Sequence, residues 1–250
     1  MEITTFKRYE KKFKLTEEQY SNLIPRLEEY MIPDEHCKEN GGYCIYNIYY
    51  DTDDNRIIRH SLSKPYYKEK LRLRSYKVPK SMDEKVFLEI KKKVGGIVNK
   101  RRVIITLQEA YDFINKGIRP KYDDYFVNQV LNEMEYFFKN NKIHPAAFIC
   151  YEREAFFGKE NKDFRITFDQ HILTRRTDVA LEKGKYGEEL LKPGQRLMEV
   201  KILGAMPIWL AEIFSELGIY SSSFSKYGNE YKKYISDEEY SNNDRRKEVC

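Results

Sequence analysis

Cysteine is scarce in this chain: Cys37, Cys44, Cys150 and Cys250 are scattered, with no Cys-x-x-Cys pair. That spacing excludes a disulfide framework or a thiolate zinc site and reads as reduced thiols. Histidine is equally sparse, and His36, His60, His144 and His171 share no ligand spacing, so they read as ordinary surface or loop residues. No apolar run approaches the roughly 20 residues that span a bilayer. The start, MEITTFKRYE, lacks the apolar core of a signal peptide. A cytoplasmic location without direct membrane insertion is the expectation. No repeat of the solenoid kind is present. Nor is there a Ser–His–Asp or Cys–His arrangement, so no protein nucleophile is expected.

What the chain has is charge. Of 250 residues 34% are charged and 41% hydrophobic, with 45 Lys and Arg against 40 Asp and Glu, a formal net charge of +5. This is a globular, mildly basic composition, and the length suits one domain, placed at residues 1–235 with a polar, frayed tail at 236–250. So small an excess predicts no partner by itself, but a clustered field captures anions even on a nearly neutral molecule.

The clustering is periodic. In KEKLRLRSY the cations Lys70, Arg72 and Arg74 take every second position, with Leu71 and Leu73 between them. Arg8, Glu10 and Lys12 alternate with Tyr9 and Phe13, and Glu89, Lys91 and Lys93 alternate with Leu88 and Ile90. Arg165, Thr167 and Asp169 alternate with Phe164, Ile166 and Phe168; Tyr151 and Arg153 share a face, as do Glu199 and Lys201. A period of two is the strand period, so each segment presents one apolar and one charged face. YNIYYDT from Tyr46 is a further aromatic-rich strand with Asp51 near its end.

Helices lie between the strands. Thr16 with Gln19 and Thr106 with Glu109 form capping boxes, the first before EEQYSNLIPRLEEYM with Pro25 inside it, the second before a helix that stops near Gly117. A third helix covers Tyr125 to Phe138, and a fourth opens at Pro207 and runs to Gly218. Trp209 is read as packing on that last helix, and Gly95–Gly96 as a hairpin turn.

A sheet with one wet face also alternates apolar with polar, yet a solvated face mixes Thr, Ser, Gln, Lys and Glu. Here Arg and Lys dominate across six or more strands, although like charges opposite one another destabilise a sheet. A polyanionic ligand that neutralises them resolves the conflict. Closing the sheet with its charged face inward gives a barrel with a cationic bore and helices outside. Lys100, Arg101 and Arg102 either extend the basic path or form a solvated face. Basic strands with aromatics can bind single-stranded nucleic acid. Because the aromatics here lie opposite the arginines, nucleic acid is not an expected partner.

The ordered set RYEKKF at Arg8, YNIYYDT at Tyr46, KLRLRSY at Lys70, VFLEIKKK at Val86, YEREAF at Tyr151, FRITFD at Phe164, LMEVKI at Leu197 and FSKY at Phe224 resembles the catalytic domain of the vacuolar transporter chaperone (VTC) polyphosphate polymerases. Those belong to the triphosphate tunnel metalloenzymes. The likeness covers roughly Thr5 to Tyr227. It implies an α+β fold, a closed antiparallel eight-stranded β-barrel with flanking helices. It also implies ATP as substrate, polyphosphate or tripolyphosphate as ligand, and a divalent metal, Mn or Mg, as cofactor. By motif it implies Lys12, Arg72, Arg74, Lys91 and Arg153 as catalytic cations. Arg8, Lys70, Lys93, Tyr151, Arg165, Lys201, Ser225 and Lys226 would bind substrate, and Glu199 would hold the metal. Glu10 and Glu89 are further ligands or counter-ions for neighbouring lysines; carboxylate oxygen suits a hard cation.

Departures from the family pattern matter. The related hydrolases carry two glutamates and a lysine alternating in the first strand, where this chain has Arg8, Glu10 and Lys12. One acid fewer disfavours a two-metal site and favours transfer over triphosphate hydrolysis, which stays as the alternative beside a non-catalytic polyphosphate- or nucleotide-binding module. The polymerases have a basic residue where this chain has Ser223. The regulatory and membrane helices of the eukaryotic polymerases are not found in it, so sensing and translocation are not expected of it unless a partner supplies them, and the sequence does not specify a membrane-protein partner.

Overall fold

The computed structural model describes residues 8–38 and 41–235. The expected tail at 236–250, with Cys250, therefore lies outside the described residues, as does the side chain of Arg8. In chain order the elements are β1 (Arg8–Leu15), α1 (Glu17–Leu27), β2 (Met31–Pro33), α2 (Glu35–Lys38), β3 (Tyr43–Asp51), α3 (Arg56–Leu62), β4 (Tyr67–Ser75) and β5 (Lys85–Val94). They continue with β6 (Ile97–Thr106), α4 (Leu107–Lys116), α5 (Tyr125–Asn140), β7 (His144–Gly158), β8 (Arg165–Arg175), β9 (Glu188–Glu189), β10 (Arg196–Leu203) and α6 (Ile208–Glu216). A helical stretch at 226–235 follows. No helix among the described residues is long and apolar enough to cross a membrane.

The strands pair in the order β1-β10-β8-β7-β3-β4-β5-β6, with β2 on β7 and β9 on β8. This corrects the expected closed barrel of eight strands: the sheet has ten strands, and β1 and β6 end the path without a ladder between them among the described residues. Alternation dictates which face a side chain takes, but not the shear and tilt that close a sheet. The far edge of β1 is occupied instead by an isolated bridge, Phe13 to Ser221, and by Ser222 N–H donating to the Lys12 carbonyl at 2.7 Å.

The chain divides into two compact units, Met1–Ile45 with Cys150–Leu173 and Leu191–Phe224, and Tyr46–Ile149 with Thr174–Leu190 and Ser225–Cys250. In the first, the apolar faces of β1, β8 and β10 bury Phe13, Leu15, Ile166, Phe168, Met198 and Val200 against Leu23 and Leu27 of α1 and Leu210, Ile213 and Phe214 of α6. Thr16 caps α1 with the expected box, and Pro25 lies within the helix. Trp209 stacks on Tyr30 with ring centroids 4.0 Å apart and planes 6° apart.

In the second unit, β4 and β5 bury Leu71, Leu73, Leu88 and Ile90. Leu107, Ala110 and Phe113 of α4 and Leu131, Met134 and Phe137 of α5 are buried too. Thr106 and Glu109 complete the second capping box, and Gly117 ends α4 in the left-handed conformation at φ 68°. The β5–β6 turn is the Gly95–Gly96 pair, at φ 54° and 92° between the paired Val94 and Ile97. Two successive positive φ values are what a two-residue type I′ hairpin requires. The helix α3 was not foreseen. Its first turn is held by Asp51, which accepts from the Ile57 and Ile58 amides at 2.8 and 2.9 Å.

Candidate functional site

In the first unit the register places Lys12 opposite Glu199 and Glu10 opposite Lys201, while Glu199 faces Thr167 and Lys201 faces Arg165 on the other side of β10. The expected polar face is therefore assembled from strands far apart in sequence. The Lys12 amine lies between two carboxylates, 3.3 Å from Glu10 and 3.4 Å from Glu199. Glu199, buried, also meets Lys201 at 3.6 Å and Arg153 at 3.8 Å. Arg153 donates both prongs to the fully buried Asp169, from Nε at 2.6 Å and from the terminal nitrogen at 2.7 Å. Its guanidinium also lies 5.2 Å from the Tyr151 ring centroid. Burial alone would make Arg153 less basic, but Asp169, Tyr151 and Glu199 outweigh it and drive its pKa up. Burial dominates at Lys201 and lowers its pKa, with Glu199 and Glu10 opposing. Arg165 is drawn to Asp34 at 3.4 Å and the Tyr43 hydroxyl at 3.2 Å. The backbone of Arg8 pairs opposite Leu203.

Asp169 was not foreseen as a site residue. Its signal was its place on the same strand face as Arg165 and Thr167. Periodicity finds such a residue but does not say which cation it holds.

In the second unit the charged face is built on one buried carboxylate. Glu89, 1% exposed, receives Arg72 Nε at 2.5 Å on Oε2 and Lys100 Nζ at 2.5 Å on Oε1, with Arg74 Nε 3.8 Å away. Burial pushes the Glu89 carboxyl up, but Arg72, Arg74 and Lys100 prevail and hold it down at about 2. Lys100 is lowered to about 8, by burial first and then by Arg72 and Arg74 against the pull of Glu89. Arg74 is aimed by Asn47, whose Oδ1 accepts from Nε at 2.8 Å. The Asn47 amide in turn donates to the Ile149 carbonyl at 2.9 Å. Arg72 reaches the Tyr49 hydroxyl at 3.4 Å. Burial opposes ionisation of Tyr49, yet Arg72, Arg74 and Lys226 bring it down to about 8.

Around this centre the register sets Lys70 opposite Lys91 and Lys68 opposite Lys93, and Lys91 opposite Lys100. Lys226 is buried at the head of the 226–235 helix, next to Tyr227, whose ring stacks on Tyr49 at 4.7 Å. Ser225 accepts from the Gly228 amide at 3.2 Å and so caps that helix. Lys100, Asn47 and Tyr49 were missed as site residues: Lys100 reads equally well as a solvated cation, and a lone Asn or Tyr carries no pattern.

The fit for a divalent ion differs between the two sets. Glu10 and Glu199 both meet the Lys12 amine and offer carboxylate oxygens, hard donors of the kind Mg or Mn takes when phosphates and water complete its shell. Glu89 is engaged by arginine and lysine on both oxygens and acts as a counter-ion. Among the described residues no three or more His, Cys, Asp or Glu side chains gather as a metal-holding group.

The family model described as the VTC domain matches residues 7–235. Among solved structures, a Bacillus halodurans protein described as an adenylate cyclase candidate shares the fold with a TM-score of 0.52 at 15% identity, over 86% of this chain and 92% of that one. The Schizosaccharomyces pombe Mediator head module follows with a TM-score of 0.43 at 8% identity, over 84% and 90%. No curated protein sequence matches significantly.

Proposed function

We propose, since the chain belongs to the VTC domain family, that it moves the terminal phosphoryl group of ATP onto inorganic polyphosphate with the help of a divalent cation, Mn or Mg. The observation that carries the reading is the surplus of cations around Glu89. Lys70, Arg72, Arg74, Lys91, Lys93 and Lys100 crowd one sheet face with a single buried carboxylate among them. Opposed like charges cost stability unless an anion relieves them, and a string of phosphates is an anion long enough to meet several of these cations at once.

Phosphoryl transfer asks little covalent chemistry of a protein, because the transition state spreads negative charge over the equatorial oxygens and rewards fixed positive groups. Arg72 and Arg74 are already oriented, by Glu89 and by Asn47, so they grip phosphate without reorganising. Arg153, held by Asp169, and Lys12 supply the same service in the other set. Glu199, with Glu10 beside it, would hold the cation, which when bound neutralises phosphate oxygens. In the transfer, the bond from the γ-phosphorus to the ADP oxygen breaks and one to an oxygen of the polyphosphate end or of orthophosphate forms. Lys70, Lys93, Tyr151, Lys201, Ser225 and Lys226 extend the phosphate-binding set.

A second reading, triphosphate hydrolysis with water as the acceptor, is favoured by the pairing of Glu10 with Glu199 on one amine. Incubation with ATP and manganese separates the two. Polymer on a gel with ADP indicates transfer; free phosphate without polymer indicates hydrolysis; binding of tripolyphosphate without turnover leaves a binding module. Arg72→Ala should lower turnover by about 10²–10³-fold, the scale of losing one fixed donor to a developing oxyanion, and Glu199→Ala should lower it by removing a carboxylate that would hold the cation. Turnover near that of the parent in both would refute the assignment.

A further inference from the structure

Residues 91–102 read KKKVGGIVNKRR: Lys91, Lys92, Lys93, Lys100, Arg101 and Arg102 without one carboxylate, divided by an uncharged stretch. In the fold this is the end of the β5–β6 hairpin, and every residue from Val94 to Lys100 is exposed, so the ribbon stands clear of the helices that cover the rest of these strands. Its tip is apolar. Ile97 is 60% exposed and Val98 48%, and Tyr66 beside them is 77% exposed. The Tyr66 ring lies against the turn, so close that a Cβ on Gly95 would come within 3.1 Å of it. The Gly95 amide donates to the Tyr66 carbonyl at 2.9 Å. Tyr67, opposite Val94, completes the cap. Behind it Lys92 and Arg101 meet Glu133, and Lys100 meets Glu89, so the cations of the ribbon outnumber the carboxylates they pair with.

We propose that this ribbon is a docking element for an anionic lipid surface, with Ile97, Val98, Val94 and Tyr66 entering the headgroup boundary and the flanking lysines and arginines reaching lipid phosphates. Charge decides between occupants. A second copy of the chain would bring the same cations face to face, and a nucleic acid would satisfy the cations while leaving the apolar tip in water. A bilayer with acidic headgroups satisfies both, since interfacial binding combines buried apolar area with attraction to anionic lipid. The depth is that of the headgroups, because an open hairpin cannot pair its outer amides inside hydrocarbon. This inference does not depend on which phosphoryl reaction the chain performs.

The test is co-sedimentation of the full chain with phosphatidylcholine vesicles, with and without phosphatidylglycerol. Binding to the acidic vesicles, weak binding to the neutral ones, and a loss of about tenfold or more in the double variant Ile97→Asp, Val98→Asp are expected. A second variant, Ile97→Trp, reads insertion directly as a blue shift of tryptophan emission on acidic vesicles. Equal binding by parent and double variant, no blue shift, or no vesicle binding at all overturns the proposal. So does a dimer that the double variant abolishes in a parent that ignores vesicles, which would assign the tip to a second copy.

Discussion

Replacing Glu89 by Gln keeps the volume of the side chain and removes the one carboxylate on which Arg72, Arg74 and Lys100 converge. The carboxyl is depressed from 4.5 to about 2 in the fold. A group depressed on folding contributes stability that is complete above its unfolded value and is lost as pH falls towards the folded one. Here the window is roughly pH 4.5 down to 2, and the contribution at neutral pH is about 3 kcal/mol. Removing one partner of a buried ion pair gives a similar cost, about 3–5 kcal/mol. At about 2–4 °C per kcal/mol for a chain of this size, Glu89→Gln should lower the melting temperature by roughly 6–12 °C at pH 7. The difference from the parent should shrink as pH is lowered through that window. The variant also leaves the cations without their internal neutraliser, so tripolyphosphate should raise its melting temperature more than it raises the parent's. Differential scanning fluorimetry over a pH and tripolyphosphate series measures both effects. A variant that melts within a degree of the parent, or that gains no more than the parent from tripolyphosphate, would show that Glu89 does not neutralise a phosphate-binding set.

Two more outcomes follow from the same geometry. Lys100 loses its proton and Tyr49 loses its own near pH 8, and both changes make the site less positive, so tripolyphosphate affinity should fall as pH rises through about 8. Isothermal titration should find that fall shallower in Tyr49→Phe; an unchanged profile would exclude Tyr49 from the site. Asp169→Asn removes the charge that receives both prongs of Arg153 and should destabilise the chain by about 3–5 kcal/mol in urea titrations, the range for breaking a buried pair.

Much of the fold could be read from residue types because the deciding interactions are local. Both capping boxes join residues three apart, and the Gly95–Gly96 turn needs only two positive φ angles. The charged and apolar faces of β1, β4, β5, β8 and β10 follow from a period of two. What escaped was set by distance along the chain. Helix α3 has no capping side chain of its own at Asn55 and is held by Asp51 through side-chain bonds to its first-turn amides. A short helix stabilised that way leaves no mark in its own seven residues. Closure of the sheet was over-read, since alternation carries no information on curvature. Of the candidate site, the alternating charges could be read from their strands. The acids and amides that aim the cations could not, because Asn47 to Arg74 and Asp169 to Arg153 are pairings between neighbouring strands, not within one.

Tyr227 donates to Asp51 at 2.8 Å while its ring lies on Tyr49, and Asp51 is the anchor of α3. The segment from 226 to 235 is thus a keystone: it contributes the Lys226 cation and also braces the aromatic and the helix beside it. Anyone trimming this protein to a minimal domain should cut beyond Ile235, because an excision at Phe224 would remove the buried Lys226 and at the same time unseat the Tyr49 ring that Arg72 reaches.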